Sequence, residues 1–512
     1  MKNQRKRKQR DRYYPDFEGF KQLATKGNIV PVYRQLFADT LTPVSAFQKV
    51  SDVEYAFLLE SAAGGEKISR YSILGINPFI EFTAFGSRIE VKRGGNKTEV
   101  IHAKDPLEVL HKEMSAFTPV PVNGLPKFFC CVVGYIGYDT IRHYERLPDI
   151  PKDDLLLPDI QMMFYDTVII FDHLSKTIKV VFTARIDKDN LESVYSNAIL
   201  KIDLLIEKLR TPVMTLSDDI TTSNGEVNIP FSSNFEKADF LKAVNRCKEY
   251  IRAGDIFQVV ISQRLKTRTQ ADPFSIYRIL RVINPSPYMF YLKMGDLKLI
   301  GASPEVMVKV DGKKIIVRPI AGTRRRGRDD SEDALFEQEL IADPKERAEH
   351  IMLLDLGRND VGRVSRYGSV HIDEKMVIEK YSHVMHITSS VCGELQEDKT
   401  AFDSLKACLP AGTLSGAPKI RAMEIIDEIE TTKRGSYGGA VGYFDFFGNM
   451  NTCITIRTIV LNGNDAYIQA GAGIVADSVP EREYEETMNK AKGLLKAIEL
   501  AEKLHIADNK IK

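Results

Sequence analysis

Two acidic clusters lie more than a hundred residues apart in a chain of 512, KERAEH at 345–350 and PEREYEET at 480–487. Each places glutamates three apart on a segment that reads as helix, Glu346 with Glu349 and Glu483 with Glu486, so each pair shares one face. A solvated acidic face is the ordinary outcome of such a pattern; brought together, the two faces could instead offer carboxylates to one cation. Arg457, Tyr437, Lys490 and the Gly471-Ala472-Gly473 stretch are residue types that bind an anionic carboxylate, through a guanidinium, a hydroxyl, an ammonium and backbone N–H groups. A substrate carboxylate about 4 Å from a glutamate is repelled by roughly 4 kcal/mol at an effective dielectric near 20. A divalent cation between them removes the conflict, and oxygen-only donors with a partly solvated shell suit Mg²⁺ better than zinc.

Three elements must position these residues. VMVKVDGKKIIVRPIAGT at 306–323 reads as a hairpin turning at Asp311-Gly312, with Val310 opposite Lys313 and Glu305 opposite Arg318, so that Glu305 and Gly322–Thr323 lie at one end. YGGAVGYFDF, NTCITIRTIVL and AYIQAGAGIV read as a meander that places Arg457 near Ala440 on one side and Ala470 on the other, with Gly471–Gly473 as a turn. Ser478 and Glu481 make a capping box, with Pro480 in the first turn of a final helix. Glu483, Glu486 and Lys490 line one face of that helix, while Met488, Leu494, Leu495 and Ile498 supply buried contacts.

Composition bounds the rest. With 43% hydrophobic and 28% charged residues the chain is globular, with material for two or so cores. No apolar run reaches the length of a membrane span and no leader pattern opens the chain, so a cytoplasmic protein is expected. Six cysteines without zinc spacing read as reduced core thiols. A net charge of +1 gives no reason to expect nucleic acid; the seven lysines and arginines among the first twelve residues read as a solvated tail. The polar segment 211–233 reads as a linker. The expected division is a basic disordered tail at 1–14, an α+β regulatory domain at 15–210, a catalytic domain at 234–505 and a C-terminal tail at 506–512.

From Leu41 to Ala501 the chain resembles anthranilate synthase component I, of the chorismate-utilising enzyme family. The likeness rests on LLES at 58–61, GDIFQVV at 254–260, NPSPYM at 284–289, GASPE at 301–305, PIAGTR at 319–324, RAEHIMLLDLGRND at 347–360, SHVMH at 382–386, LPAGTLSGAPK at 409–419, ITIRT at 454–458 and AGAGIV at 470–475. Arg325 departs from it, since relatives often carry proline there. The resemblance implies an α+β sandwich of large packed sheets with helices outside, acting on chorismate with Mg²⁺ held by Glu349 and Glu486. It implies that Arg457, Tyr437 and the backbone of Gly471, Ala472 and Gly473 hold the enolpyruvyl carboxylate. Gly322, Thr323, Thr413 and Lys490 would complete the pocket, Glu305 would protonate the departing hydroxyl, and His386 would move the ring proton. Glu60, Ser61, Pro287, Tyr288 and Met289 resemble the family's tryptophan feedback site.

Two positions separate reactions within that resemblance. Relatives that add water carry lysine where this chain has Gln258, and relatives that make aminodeoxychorismate often carry lysine where it has Ala321. Gln258 and Ala321 together imply ammonia addition beside the ring carboxylate and elimination of pyruvate to an aromatic amine, a lyase reaction of tryptophan biosynthesis. No glycine-flanked cysteine nucleophile of a glutaminase is present, which implies a separate glutamine amidotransferase subunit. The competing readings are an aminodeoxychorismate synthase large subunit and a non-catalytic chorismate- or tryptophan-binding regulator.

Overall fold

Strands such as YAFLLE and YMFYLKM carry almost no polar alternation, the pattern of strands covered on both faces. In the computed structural model, which describes residues 12–61, 70–94, 97–186, 190–212, 227–381 and 384–511, they lie in two twelve-stranded antiparallel sheets packed face to face. Along Tyr55–Glu60 and Tyr288–Met294, Phe57, Phe290 and Leu292 point into the core between the sheets. Leu58, Met289 and Tyr291 point outward, beneath helices that include Pro273–Ile283 and Pro480–Ile511. The α+β sandwich with external helices is thus the observed fold.

Both sheets draw strands from both halves of the chain. In one, Tyr55–Glu60 pairs with Tyr288–Met294, setting Glu60 opposite Met289; in the other, Cys131–Ile136 pairs with Ala440–Asp445, setting Gly134 opposite Gly442. Much of the linker expected at 211–233 lies outside the described residues. So does most of the basic tail, although Tyr13 is buried and Tyr14 pairs with Tyr33, so order begins before residue 15. The expected C-terminal tail is instead a continuation of the final helix, Pro480–Ile511.

Four local expectations are corrected. The Asp311-Gly312 hairpin turns one residue later, at Gly312-Lys313, with Val310 opposite Ile315. Glu305 therefore lies level with Ile320 rather than Arg318. NTCITIRTIVL is two strands, Met450–Ile454 in one sheet and Thr458–Asn462 in the other. The chain crosses between sheets at Thr455–Arg457, where Arg457 takes φ 48°, a left-handed conformation unusual for a residue with a Cβ. Register beyond the Thr458 strand still leads toward Ala470, but Arg457 is not beside Ala440, which pairs with Ile454. Gly471–Gly473 is no turn: it lies in strand Asp465–Ile474, paired with Gln258–Arg268. Finally, Ser478 does not cap Glu481, because its hydroxyl accepts the N–H of Val475 and the helix starts at Pro480.

Candidate active site

One cavity of about 910 Å³ opens where the two sheets end, and it gathers most of the residues singled out above. The first sheet contributes Gln258, Gly471 and Gly473, and the second contributes Ala321, Gly322, Thr323 and His386. Glu305, Thr413, Tyr437 and Arg457 complete the interior, while Glu346, Glu349, Glu483, Glu486 and Lys490 line it from two helices. Strand alternation turns Ala472 to the opposite face, where it is buried beside Ile261 and Ile474, so only its backbone is available to the site. Gly473 leaves room that a Cβ would take, since a carbon there would stand 2.6 Å from Gln258 Nε2.

The acidic wall follows from local sequence. Helix Pro344–Gly362 starts at Pro344, and the Asp343 side chain accepts the N–H groups of Lys345 (2.9 Å) and Glu346 (3.3 Å). Glu346 and Glu349 then fall one turn apart on its cavity side. Arg324 ties that helix start to strand Ile320–Arg325, donating to Glu346 (3.0 Å) and Asp343 (2.9 Å). Arg324 belongs to the PIAGTR motif, and its i+19 and i+22 partners gave sequence reasoning no local signal. On the final helix Glu486 pairs with Lys490 (2.7 Å), and Lys490 also donates to the Gly471 carbonyl (2.9 Å).

Among these glutamates Glu349 is a candidate cation ligand. Burial, then the neighbouring charges of Glu346 and Glu486, raise its carboxyl above the ordinary value. Glu483 is raised likewise, by burial and by Glu486, against a hydrogen bond from Ser478. Such crowding of oxygen donors from two helices, with neither cysteine nor histidine among them, fits a hard divalent cation. Glu486 would exchange Lys490 for that ion.

The interior holds an acid, a base and a cation. Burial raises Glu305 to about 8, although Thr413 donates to it at 3.0 Å, so it is largely protonated near neutrality. His386 is lowered to about 4 by burial and stays neutral. Its Nδ1 lies 3.1 Å from the Gly322 carbonyl and 3.0 Å from the Thr323 hydroxyl. A carbonyl only accepts, so Nδ1 carries the hydrogen and Nε2 is left as the basic nitrogen. The pairing of strand Ile320–Arg325 with Val384–Glu394 slips at Gly322, whose φ of 63° turns that carbonyl to the histidine. Arg457 is also largely desolvated, which lowers its pKa against the pull of Glu305. Among the described residues its guanidinium has no hydrogen-bonded or ion-paired partner and feels Glu305 only through space, the state of a group that can take an anion. Tyr437 stands beside Gly471, with Arg434 5.7 Å from its ring centroid; Arg434, which sequence reasoning missed, also binds Glu430 and the Leu414 and Val260 carbonyls.

The five regulatory candidates do not share one face. Glu60 and Met289 are cross-strand partners beneath helix Pro273–Ile283, and Glu60 accepts from Tyr277 (2.6 Å) and Arg281 (3.1 Å). Tyr288 points the other way and donates to Asn451 (3.0 Å). Pro287 is buried just before that strand, and Ser61 directly follows Glu60. Tyr277 and Arg281, unremarked in the sequence, are four apart after an Asp272 cap, a spacing that puts both on one helical face.

Residues 54–496 match the model of the chorismate binding enzyme family. The chain belongs to that family. It is 51% identical over 492 residues to anthranilate synthase component 1 of Acetivibrio thermocellus, covering 96% of this chain and 99% of that protein. With anthranilate synthase component 1 of Synechocystis sp. it shares 49% identity, over 94% of this chain and 99% of the other. The crystal structure of anthranilate synthase component I from Streptococcus pneumoniae superposes with a TM-score of 0.75 at 37% identity, covering 90% of this chain and 99% of that one.

Proposed function

We propose that the protein is the large subunit of an anthranilate synthase, converting chorismate and ammonia to anthranilate and pyruvate. The observation that carries this reading is Arg457, largely desolvated and without a hydrogen-bonded or ion-paired partner among the described residues, in one cavity with a protonated Glu305 and a neutral His386. Arg457 and Tyr437 hold the enolpyruvyl carboxylate against the Gly471–Gly473 backbone. Glu349 and Glu486 would hold Mg²⁺, which when bound offsets the charge between the glutamates and the ring carboxylate. Ammonia forms a C–N bond beside that carboxylate while the ring hydroxyl leaves with the Glu305 proton as water, and the new ammonium group returns a proton to the Glu305 carboxylate. His386 Nε2 then takes the ring hydrogen as the C–O bond to the enolpyruvyl group breaks, and the departing enolpyruvate gains a proton to become pyruvate.

Gln258 and Ala321 both line the cavity, which supports ammonia over water and direct addition over a covalent lysine intermediate. Glutamine-derived ammonia is supplied by a separate amidotransferase subunit, and tryptophan inhibits through the Glu60–Met289 region. The test is anthranilate fluorescence from chorismate, Mg²⁺ and ammonium with the purified chain. Accumulation of aminodeoxychorismate in place of anthranilate would assign it to the neighbouring reaction.

A further inference from the structure

We propose that His371, Asp373 and Cys392 form a second cation site, suited to a thiophilic divalent ion such as Zn²⁺ and separate from the catalytic cavity. His371 opens strand His371–Lys380 and pairs with Cys392 of strand Val384–Glu394, so the two side chains share a face. Between Ile372 and Glu374 the register slips, and the extra residue is Asp373. This bulge turns its carboxylate onto the same face. His371 Nε2 lies 2.9 Å from Asp373 Oδ1, and Cys392 Sγ lies 3.0 Å from Asp373 Oδ2. Among the described residues this is the one group of three such side chains whose ligand atoms all fall within 4.8 Å of one another.

The hydrogen bonding is also compatible with a cation. His371 Nδ1 lies 2.8 Å from the Ser369 carbonyl, which fixes the hydrogen on Nδ1 and directs Nε2 at the carboxylate. Two acceptors face each other there at 2.9 Å, a contact that needs a proton or a metal ion between them. In a tetrahedral zinc site, bonds of ~2.0 Å to nitrogen and oxygen and ~2.3 Å to sulfur set neighbouring donors about 3.3–3.5 Å apart, so only small side-chain shifts are required. Asp373 Oδ1 can take the ion while Oδ2 keeps Lys314, which stands 2.7 Å from it. Binding exchanges the thiol S–H bond for a sulfur–metal bond and releases the proton to solvent, with no change in oxidation state. Sulfur and imidazole donors favour zinc or cobalt over Mg²⁺.

The test is titration of untagged, chelator-treated full-length protein with Co²⁺ in excess Mg²⁺, followed by thiolate-to-cobalt charge-transfer absorption. One equivalent of Co²⁺ should develop the band and Zn²⁺ should abolish it. Cys392→Ser should lack the band, and His371→Ala, at an exposed position that leaves the core intact, should bind about tenfold or more weakly. No band at saturating Co²⁺, displacement by Mg²⁺, a band retained in Cys392→Ser, or unchanged affinity in His371→Ala would each overturn the proposal.

Discussion

Glu305 and His386 are both moved from their ordinary ionisation by burial, in directions that suit an acid and a base. The acid works protonated, so kcat/KM should fall as pH rises through about 8; the base works unprotonated, so it should also fall as pH drops through about 4. Glu305→Gln should lower kcat by ~10²–10⁴ and erase the alkaline limb. If that limb survives in a stopped-assay pH profile, another group sets it. Arg457→Ala should cost roughly 10–150-fold in kcat/KM, the range of a charge-assisted hydrogen bond worth ~1.5–3 kcal/mol. Glutamates three apart on a helix are a local pattern, but alone they read as a solvated face, and the roles of Glu305, Thr413 and His386 came from the family resemblance. The left-handed φ of Arg457 was not readable, because the two sheets impose it and nothing within a few residues of it does.

Arg324 clamps Glu346 and Asp343 and thereby ties the start of the glutamate helix to strand Ile320–Arg325. Arg324→Ala should raise the Mg²⁺ concentration for half-maximal rate by roughly tenfold while sparing kcat at saturating Mg²⁺; an unchanged magnesium titration would deny it that role. In the proposed feedback region Met289 shares a face with Glu60 while Tyr288 faces the inter-sheet core. Met289→Thr should therefore relieve tryptophan inhibition while Tyr288→Phe leaves it in place, as read from inhibition curves at fixed chorismate. Neighbouring strand residues in YMFYL must point opposite ways, yet the sequence reading placed Tyr288 and Met289 in one site because the family motif carries both. The hairpin was legible to within one residue, but the flanking strands could not reveal which side of Gly312 the pairing would favour.

Neither half of the chain owns a sheet. Separating them would bare the Tyr288–Met294 strand along its Tyr55–Glu60 side and the Ala440–Asp445 strand along its Cys131–Ile136 side. Residues 227–512 expressed alone should aggregate, and co-expression with residues 1–212 should restore solubility and ammonia-dependent activity; a soluble, active fragment would show that the shared strands are dispensable. The two-part division suggested by the polar stretch near 211–233 is a feature of chain order, and pairing between strands more than two hundred residues apart left no trace in local composition.

The passage of the chain from one sheet to the other at Thr455–Arg457 has a kinetic meaning. Arg457 faces the cavity only when the strands on both sides of it already belong to different, docked sheets. On dilution from denaturant, circular dichroism should recover as strands pair within each sheet, whereas turnover should stay absent until the sheets close on one another. Catalysis would then serve as a clock for the last event of assembly.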